Sequence, residues 1–335
     1  MPDPLHGWLI LDKPVGLGST QAVSAVKRAL RVSGHGKAKV GHGGTLDPLA
    51  SGVLPIAIGE ATKITGRMLD ADKAYDFTIR FGEQTDTLDA EGKVVVTSEV
   101  WPTLAEIETV LSRFTGPIAQ VPPAYSALKV DGQRAHDLAR AGEAVELKSR
   151  DVVIKALSLD GRGVGEGGER RRALPCGASS PLGQSPLPSP LPQGERGCGL
   201  QSITLSALVS KGTYIRSLAR DIALALGTVG HVTMLRRTKA GPFTLESAIT
   251  LDILDGAAKD ARLQELLLPL TVGLVDIPVL SVSPDQAQAL RQGRRLAGHA
   301  APPGLNLAML GDIPVALVEV DAEISVVRGF NLMSE

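Results

Sequence analysis

The sequence predicts an α+β fold: a mixed, largely antiparallel central sheet flanked by helices, followed by a small β-rich C-terminal unit. Three observations lead there. Runs of strand period and helix period interleave without strict βαβ alternation. From about Pro278 the texture changes to short strands around a single helix. Between residues 161 and 199, low-complexity sequence with little capacity to bury a core separates two strand-like runs. A chain of 335 residues is long enough for two domains, and the division is predicted at 1–275 and 276–335.

Residues 7–11 read as the first strand. Ser19 or Thr20 then caps a helix through about Arg31, with Val23, Val26 and Leu30 at helical spacing. A glycine-rich segment around Asp47 precedes an apolar strand ending at Ile58. Residues 74–81 alternate as a strand, and 93–97 are expected as its hairpin partner across the polar loop 82–92. Thr103-Leu104-Ala105-Glu106 has the form of a capping box and opens a helix expected to end near Gly116. Further helices are expected over 133–141, over 214–226 with Gly227 as the stop, and over 260–268. Residues 152–157 and 203–209 form a hairpin that 161–199 divides. So long a loop is uncommon inside a compact domain. Its closure entropy grows only logarithmically with length, however, so it reads as a disordered insert. The C-terminal unit holds a helix over 284–292, a turn at Pro302-Pro303-Gly304, and strands near 314–320 and 323–327.

Composition narrows the class of function. Hydrophobic residues make up 43% and charged residues 21%, as in a soluble globular protein. The net charge of -1 lacks the basic excess of a typical nucleic-acid binder. Local clusters depart from that average: Lys27, Arg28, Arg31, Lys37 and Lys39; then Arg236, Arg237 and Lys239; then Arg291, Arg294 and Arg295. Together they suggest a phosphate-binding face. The two cysteines, Cys176 and Cys198, both fall in the low-complexity segment, which implies neither a disulfide framework nor a metal site and reads as cytosolic. No secretory signal is read at the N-terminus, and no apolar run reaches the about 18 residues of a membrane span.

The chemistry centres on Gly41-His42-Gly43-Gly44-Thr45-Leu46-Asp47-Pro48-Leu49-Ala50-Ser51-Gly52. Its glycines permit unusual backbone, and it presents one carboxylate. Asp-Pro is also a common helix start, with Asp as N-cap and Pro in the first turn; the apolar, proline-containing strand so soon afterwards argues against a helix there. Ser210-Lys211-Gly212-Thr213-Tyr214-Ile215-Arg216 lies at a strand-to-helix junction. An arginine there, facing Asp47, would hold the carboxylate ionised and oriented. Tyr75 at a strand entrance is suited to packing or to stacking on a base.

In order, these segments resemble the TruB family of tRNA pseudouridine synthases, from the first strand to near the end of the chain. Leu11-Asp12-Lys13-Pro14 is similar to the family's N-terminal motif, and the Asp47 segment to its catalytic motif. Asp72-Lys73-Ala74-Tyr75, Gly82 to Asp89, Tyr125-Ser126-Ala127-Leu128-Lys129, Ser210 to Arg216, and His231 to Arg237 match five more segments. The resemblance implies the pseudouridine synthase fold with a PUA-like C-terminal RNA-binding domain. It implies catalytic roles for Asp47, Arg216 and Tyr75, and substrate contacts for His42, Tyr214, Leu235 and Lys13. The implied reaction isomerises uridine 55 in the T loop of tRNA after the base is flipped out, with no cofactor and no metal. The implied partner is the tRNA T-stem loop, acted on by a cytoplasmic monomer with no membrane association and no obligate protein partner. The 161–199 insert and the glycine-rich, basic 33–39 segment depart from the family pattern. Two rival readings are a non-catalytic tRNA-folding chaperone or scaffold of the same fold, and a guide-RNA-dependent relative. Activity on bare tRNA with no added factor separates them from a stand-alone enzyme.

Overall fold

The computed structural model describes residues 4–126, 128–130, 133–141, 147–159, 199–297 and 301–332. The expected insert, apart from Gly199, lies outside the described residues, as do Cys176 and Cys198.

The first and larger part of the chain runs β1 (Gly7–Lys13), α1 (Ser19–Val32), β2 (Val40–His42), β3 (Ser51–Ile58), a 3₁₀ turn, α2 (Thr65–Asp70), β4 (Lys73–Phe81), β5 (Glu83–Thr85), β6 (Val94–Thr97) and α3 (Leu104–Leu111). It continues with β7 (Gly116–Gln120), β8 (Lys129–Val130), β9 (Gln133–Arg134), α4 (Ala135–Arg140), β10 (Arg150–Leu159), β11 (Ser202–Val209), α5 (Ile215–Ala225), β12 (Gly230–Ala240), β13 (Phe243–Thr244) and α6 (Leu251–Lys259). The C-terminal elements are β14 (Val279–Ser281), α7 (Pro284–Arg291), β15 (Gly304–Leu310), β16 (Ile313–Val320) and β17 (Ile324–Gly329).

The central sheet has the order β1-β3-β12-β4-β11-β10-β7, with β2 paired to β3 and β13 to β12. All these pairings are antiparallel except β3 with β12, where Ser51 and Gly52 lie beside Arg236 and Arg237. This matches the expected mixed, largely antiparallel sheet. A second sheet, β14-β15-β16-β17, is formed by the C-terminal unit.

Alternation along β1 and β3 feeds two cores. Leu9, Leu11, Leu54 and Ile56 enter the main core with Val26 and Leu30 of α1, while Trp8, Ile10, Val53 and Ala57 enter a second core. That second core includes Phe243, Leu274, Leu307, Leu317 and Phe330, so it fastens the C-terminal sheet to the central one. Burial of each such side chain stabilises by about 1.5–3 kcal/mol. Among the described residues, no helix is long and apolar enough to cross a membrane.

Several expectations need correction. Gly18, not Ser19 or Thr20, is the N-cap of α1; the Gln21 side chain accepts from the Gly18 N–H at 2.8 Å. The 93–97 strand exists but pairs with β5, because the chain turns at Gly82 before the hairpin forms; β4 instead takes β11 and β12 as neighbours. The helix opened by Thr103 ends at Leu111, passes through a 3₁₀ turn, and gives way to strand β7 at Gly116. The 133–141 helix begins at Ala135, after Gln133 and Arg134 pair in β9. The helix assigned to 260–268 lies at 251–259 instead. Thr250 caps it, Leu254, Ala257 and Ala258 are buried, and Ala261 at φ +57 breaks it. Within 260–268 the chain forms only a 3₁₀ turn, Leu263–Leu266.

Candidate active site

Three adjacent strands provide the floor of the site. In β4, Lys73 and Tyr75 are opposite Val209 and Ala207 of β11, and Tyr75 is opposite Arg237 of β12. Directly paired residues share a face of the sheet, as do residues two apart, so Lys73, Tyr75, Val209, Leu235 and Arg237 line one surface. Over it lie the Asp47 loop and the start of α5, enclosing a cavity of about 310 Å³ whose wall also includes Tyr214 and Arg216.

The Asp47 loop has no helix of its own. Its shape is imposed from outside. Ser19 Oγ accepts from the Leu46 N–H at 2.8 Å and donates to the Leu46 carbonyl at 2.9 Å. Arg237, buried beneath the loop, donates to the carbonyls of Val53, Gly44 and Thr45. Lys13 is fully buried, and its ammonium donates to the carbonyls of Leu17, Pro14 and Pro48. Gly52 adopts φ +101, and a Cβ there would overlap the Arg237 carbonyl oxygen, so β3 and β12 can approach only with glycine at this position.

Arg216 anchors the carboxylate. Its Nη2 lies 2.8 Å from Asp47 Oδ2 and 3.0 Å from the Tyr125 carbonyl. Its Nη1 lies 3.2 Å from Asp89 Oδ2 and 2.8 Å from the Thr87 carbonyl. Arg216 and Asp89 are buried, whereas the Asp47 side chain keeps 39% of its surface exposed on the cavity it lines. Asp89 is itself held by Thr87 Oγ1 and by the Glu91 N–H. A rigid fork thus fixes an accessible carboxylate in an otherwise dry setting.

The surrounding field is set by burial and by Arg237. Burial lowers the Lys13 pKa to about 8, with Arg237 adding to the shift against the pull of Asp47. Lys73, whose ammonium donates to the carbonyls of Leu69 and Ala71, is likewise lowered to about 8 by burial and then by Arg237. Burial and Arg237 also lower the pKa of His42, whose Nδ1 accepts from the Gly44 N–H at 3.4 Å. The Tyr214 hydroxyl is raised by burial. Glu91 is raised by burial and by repulsion from Asp89 and Asp47.

Of the residues singled out from the sequence, Asp47, Tyr75, Tyr214, Arg216 and Leu235 line the same cavity. His42 and Lys13 do not line it; both contact the loop backbone from behind. Asp89 and Lys73 have no role in the sequence reading, which gives Ser19 only as a helix cap and Arg237 only as part of a basic cluster. Asp89 and Arg237 lay inside motifs already quoted, but nothing local distinguished a buried charge from a surface one. The basic cluster at Arg236 and Arg237 is not a free phosphate-binding face, because Arg236 makes a two-pronged pair with Asp12 and Arg237 is buried.

Residues 27–162 match the model of the TruB family pseudouridylate synthase N-terminal domain, and residues 216–275 match the tRNA pseudouridylate synthase B C-terminal domain. The chain is 58% identical to the tRNA pseudouridine synthase B of Novosphingobium aromaticivorans, covering 98% of both chains. It is 54% identical to the protein of the same name from Zymomonas mobilis, covering 98% of this chain and 97% of the relative. Among solved structures, it is similar to one described as a Cbf5-Nop10-Gar1 complex, with 25% identity and a TM-score of 0.63, covering 97% of this chain and 84% of that one.

Proposed function

The chain belongs to the TruB family of pseudouridylate synthases, and we propose that it isomerises uridine 55 in the T loop of tRNA, with Asp47 as the reacting group. The observation that carries this reading is the Arg216–Asp47 pair at the base of a cavity walled by Tyr75 and Leu235. The target base is stacked inside an RNA loop, and extruding it costs a few kcal/mol. Stacking on Tyr75 and packing on Leu235 offset that cost.

With the uridine in the cavity, ionised Asp47 starts the reaction in one of two ways. It attacks C1′ and expels uracil from N1, or it removes the 2′ proton so that uracil leaves as a glycal forms. Uracil then turns and C5 bonds to C1′, displacing the Asp47 carboxylate on the first path, or adding to the glycal as Asp47 returns the proton to C2′ on the second. The proton on C5 is finally lost and one is gained at the freed N1, and a tyrosine hydroxyl, Tyr75 or Tyr214, is suited to relay that transfer. Arg216 keeps the Asp47 carboxylate aimed, and Lys13, His42 and Arg237 hold the loop that carries it. The chain acts as a cytoplasmic monomer on bare tRNA, and residues 276–335 serve as a PUA-like RNA-binding domain.

Tritium release from a tRNA transcript carrying 5-³H-uridine tests the reading, with purified protein, no added factor, and Asp47→Asn alongside. About one equivalent released per tRNA by the wild type, and a loss of more than about 10³-fold in the variant with tRNA binding retained, is the expected result. Binding by both proteins with no release by either would move the assignment to a tRNA chaperone or scaffold.

A further inference from the structure

Between Asp12 and Asp47 the chain has no acidic residue for 34 positions, although acids number 36 in the whole sequence. That stretch contains Lys27, Arg28, Arg31, Lys37 and Lys39, all exposed. None of the five has an ion-pair partner among the described residues. The other basic clusters are at least partly neutralised, Arg236 by Asp12 and Arg295 by Glu323.

The backbone gathers these cations into one strip. Residues 33–38 fold back on the end of α1: the Ser33 N–H donates to Ala29, the His35 N–H to Leu30 at 2.7 Å, and the Ala38 N–H to His35. Gly36 then lies so close to Arg31 that a Cβ there would sit 2.8 Å from Arg31 Cγ. The loop lysines are therefore brought up to the basic face of α1. Gathering like charges without a counter-charge costs stability, so a merely structural role does not account for it. Beside the strip is a recess of about 430 Å³ lined by His35, Lys37, Lys39 and Lys63. Its only acid, Glu60, is already held by Lys63 at 2.6 Å and by the Asn331 N–H at 2.7 Å. The strip is joined to the Asp47 loop through the backbone. The Lys39 carbonyl accepts from the Gly59 N–H, and β2 leads directly from Lys39 to His42 and the Asp47 loop.

We propose that the 27–39 strip and its recess bind the sugar-phosphate backbone of the RNA whose uridine enters the Asp47 cavity. The proposal rests on the reading of the substrate as tRNA. Phosphate contacts from exposed lysine and arginine position RNA without reading its sequence, and each released counterion steepens the salt dependence of binding.

The test measures tRNA affinity across a salt series, and the single-turnover rate at saturating enzyme, for the full chain and two variants. One variant is Arg31→Ala/Lys37→Ala/Lys39→Ala; the other, Lys27→Ala/Arg28→Ala, leaves the 33–39 turn untouched. Each lost phosphate contact should reduce the slope of log K against log salt by about 0.7–0.9. The triple variant should bind at least about tenfold more weakly near 0.1 M salt, with the saturated rate kept. Arginine at positions 37 and 39 should retain the affinity. Unchanged affinity and slope in both alanine variants would overturn the proposal, as would a slower saturated rate at unchanged affinity. If the wild type binds with the expected slopes yet forms no pseudouridine, the strip stands and the isomerase reading falls.

Discussion

Arg216 and Asp47 share a 2.8 Å ion pair in which the arginine is buried and the carboxylate is accessible. This asymmetry separates two tasks. The buried cation needs several fixed acceptors and has them in Asp89 and in the carbonyls of Thr87 and Tyr125. The exposed partner is left with surface directed at a substrate. Asp89 is thus the buried counter-ion of Arg216, and Asp47 is the one open to the cavity.

Removing Arg216 should therefore affect stability as well as rate. Arg216→Ala leaves Asp89 buried without its cation, which should cost about 3–5 kcal/mol in denaturant unfolding. Arg216→Ala/Asp89→Ala should recover part of that loss and none of the activity. A double variant no more stable than the single one would sink the assignment of Asp89 as the buried counter-ion.

Lys13 should shape the alkaline stability profile. Its folded pKa of about 8 lies below the ordinary 10.5. Below pH 8 the folded and unfolded chains both keep the proton, and the cost of the buried ammonium is fully present. Between pH 8 and 10.5 the unfolded chain keeps a proton that the folded chain has released, so stability rises with pH. Above that window the difference is complete, at about 3 kcal/mol. Lys73 contributes with the same sign, but it is present in both proteins when Lys13→Met is compared with wild type. Between pH 7.5 and 10.5 the wild type should gain about 3 kcal/mol more than the variant in urea unfolding. Parallel pH profiles would show that Lys13 titrates normally.

Two glycines of positive φ should respond differently to alanine. Gly52→Ala drives a methyl into the Arg237 carbonyl where β3 meets β12, and should cost at least about 2–3 kcal/mol. Gly227, φ +73, has open space around it, and Gly227→Ala should cost only about 1 kcal/mol. Equal losses in melting temperature would show that β3 and β12 can move apart.

Excising residues 161–198 should leave folding and tritium release intact. Both flanking strands are paired, with Leu159 opposite Leu205, and the ends are left to be joined by a short turn. Shortening the loop should stabilise by no more than about 2 kcal/mol. A large drop in melting temperature would mean that the excised segment packs against the folded chain.

Much of this was legible in the sequence because it is local. The Thr103 capping box, the α5 stop at Gly227 and the apolar β1 and β3 each follow from neighbouring residues. The misplaced helix at 260–268 shows the limit. Its apolar residues have helical spacing, but the N-cap that starts a helix is Thr250, and Ala261 turns the chain out of it.

The sequence by itself determined which segments meet at the candidate site, since Asp47, Tyr75, Tyr214, Arg216 and Leu235 stand in motifs that keep one order along the chain and line one cavity. Tertiary structure decided which charges work and which support. Arg236 and Arg237 are adjacent in sequence, yet one meets Asp12 near the surface and the other is buried under the Asp47 loop. Adjacent residues of a strand point to opposite faces, and only the register of β12 against β3 and β4 decides which face each one receives. Arg216 likewise reaches Thr87, 129 residues away, through the pairing of the sheet, and no local pattern encodes that contact.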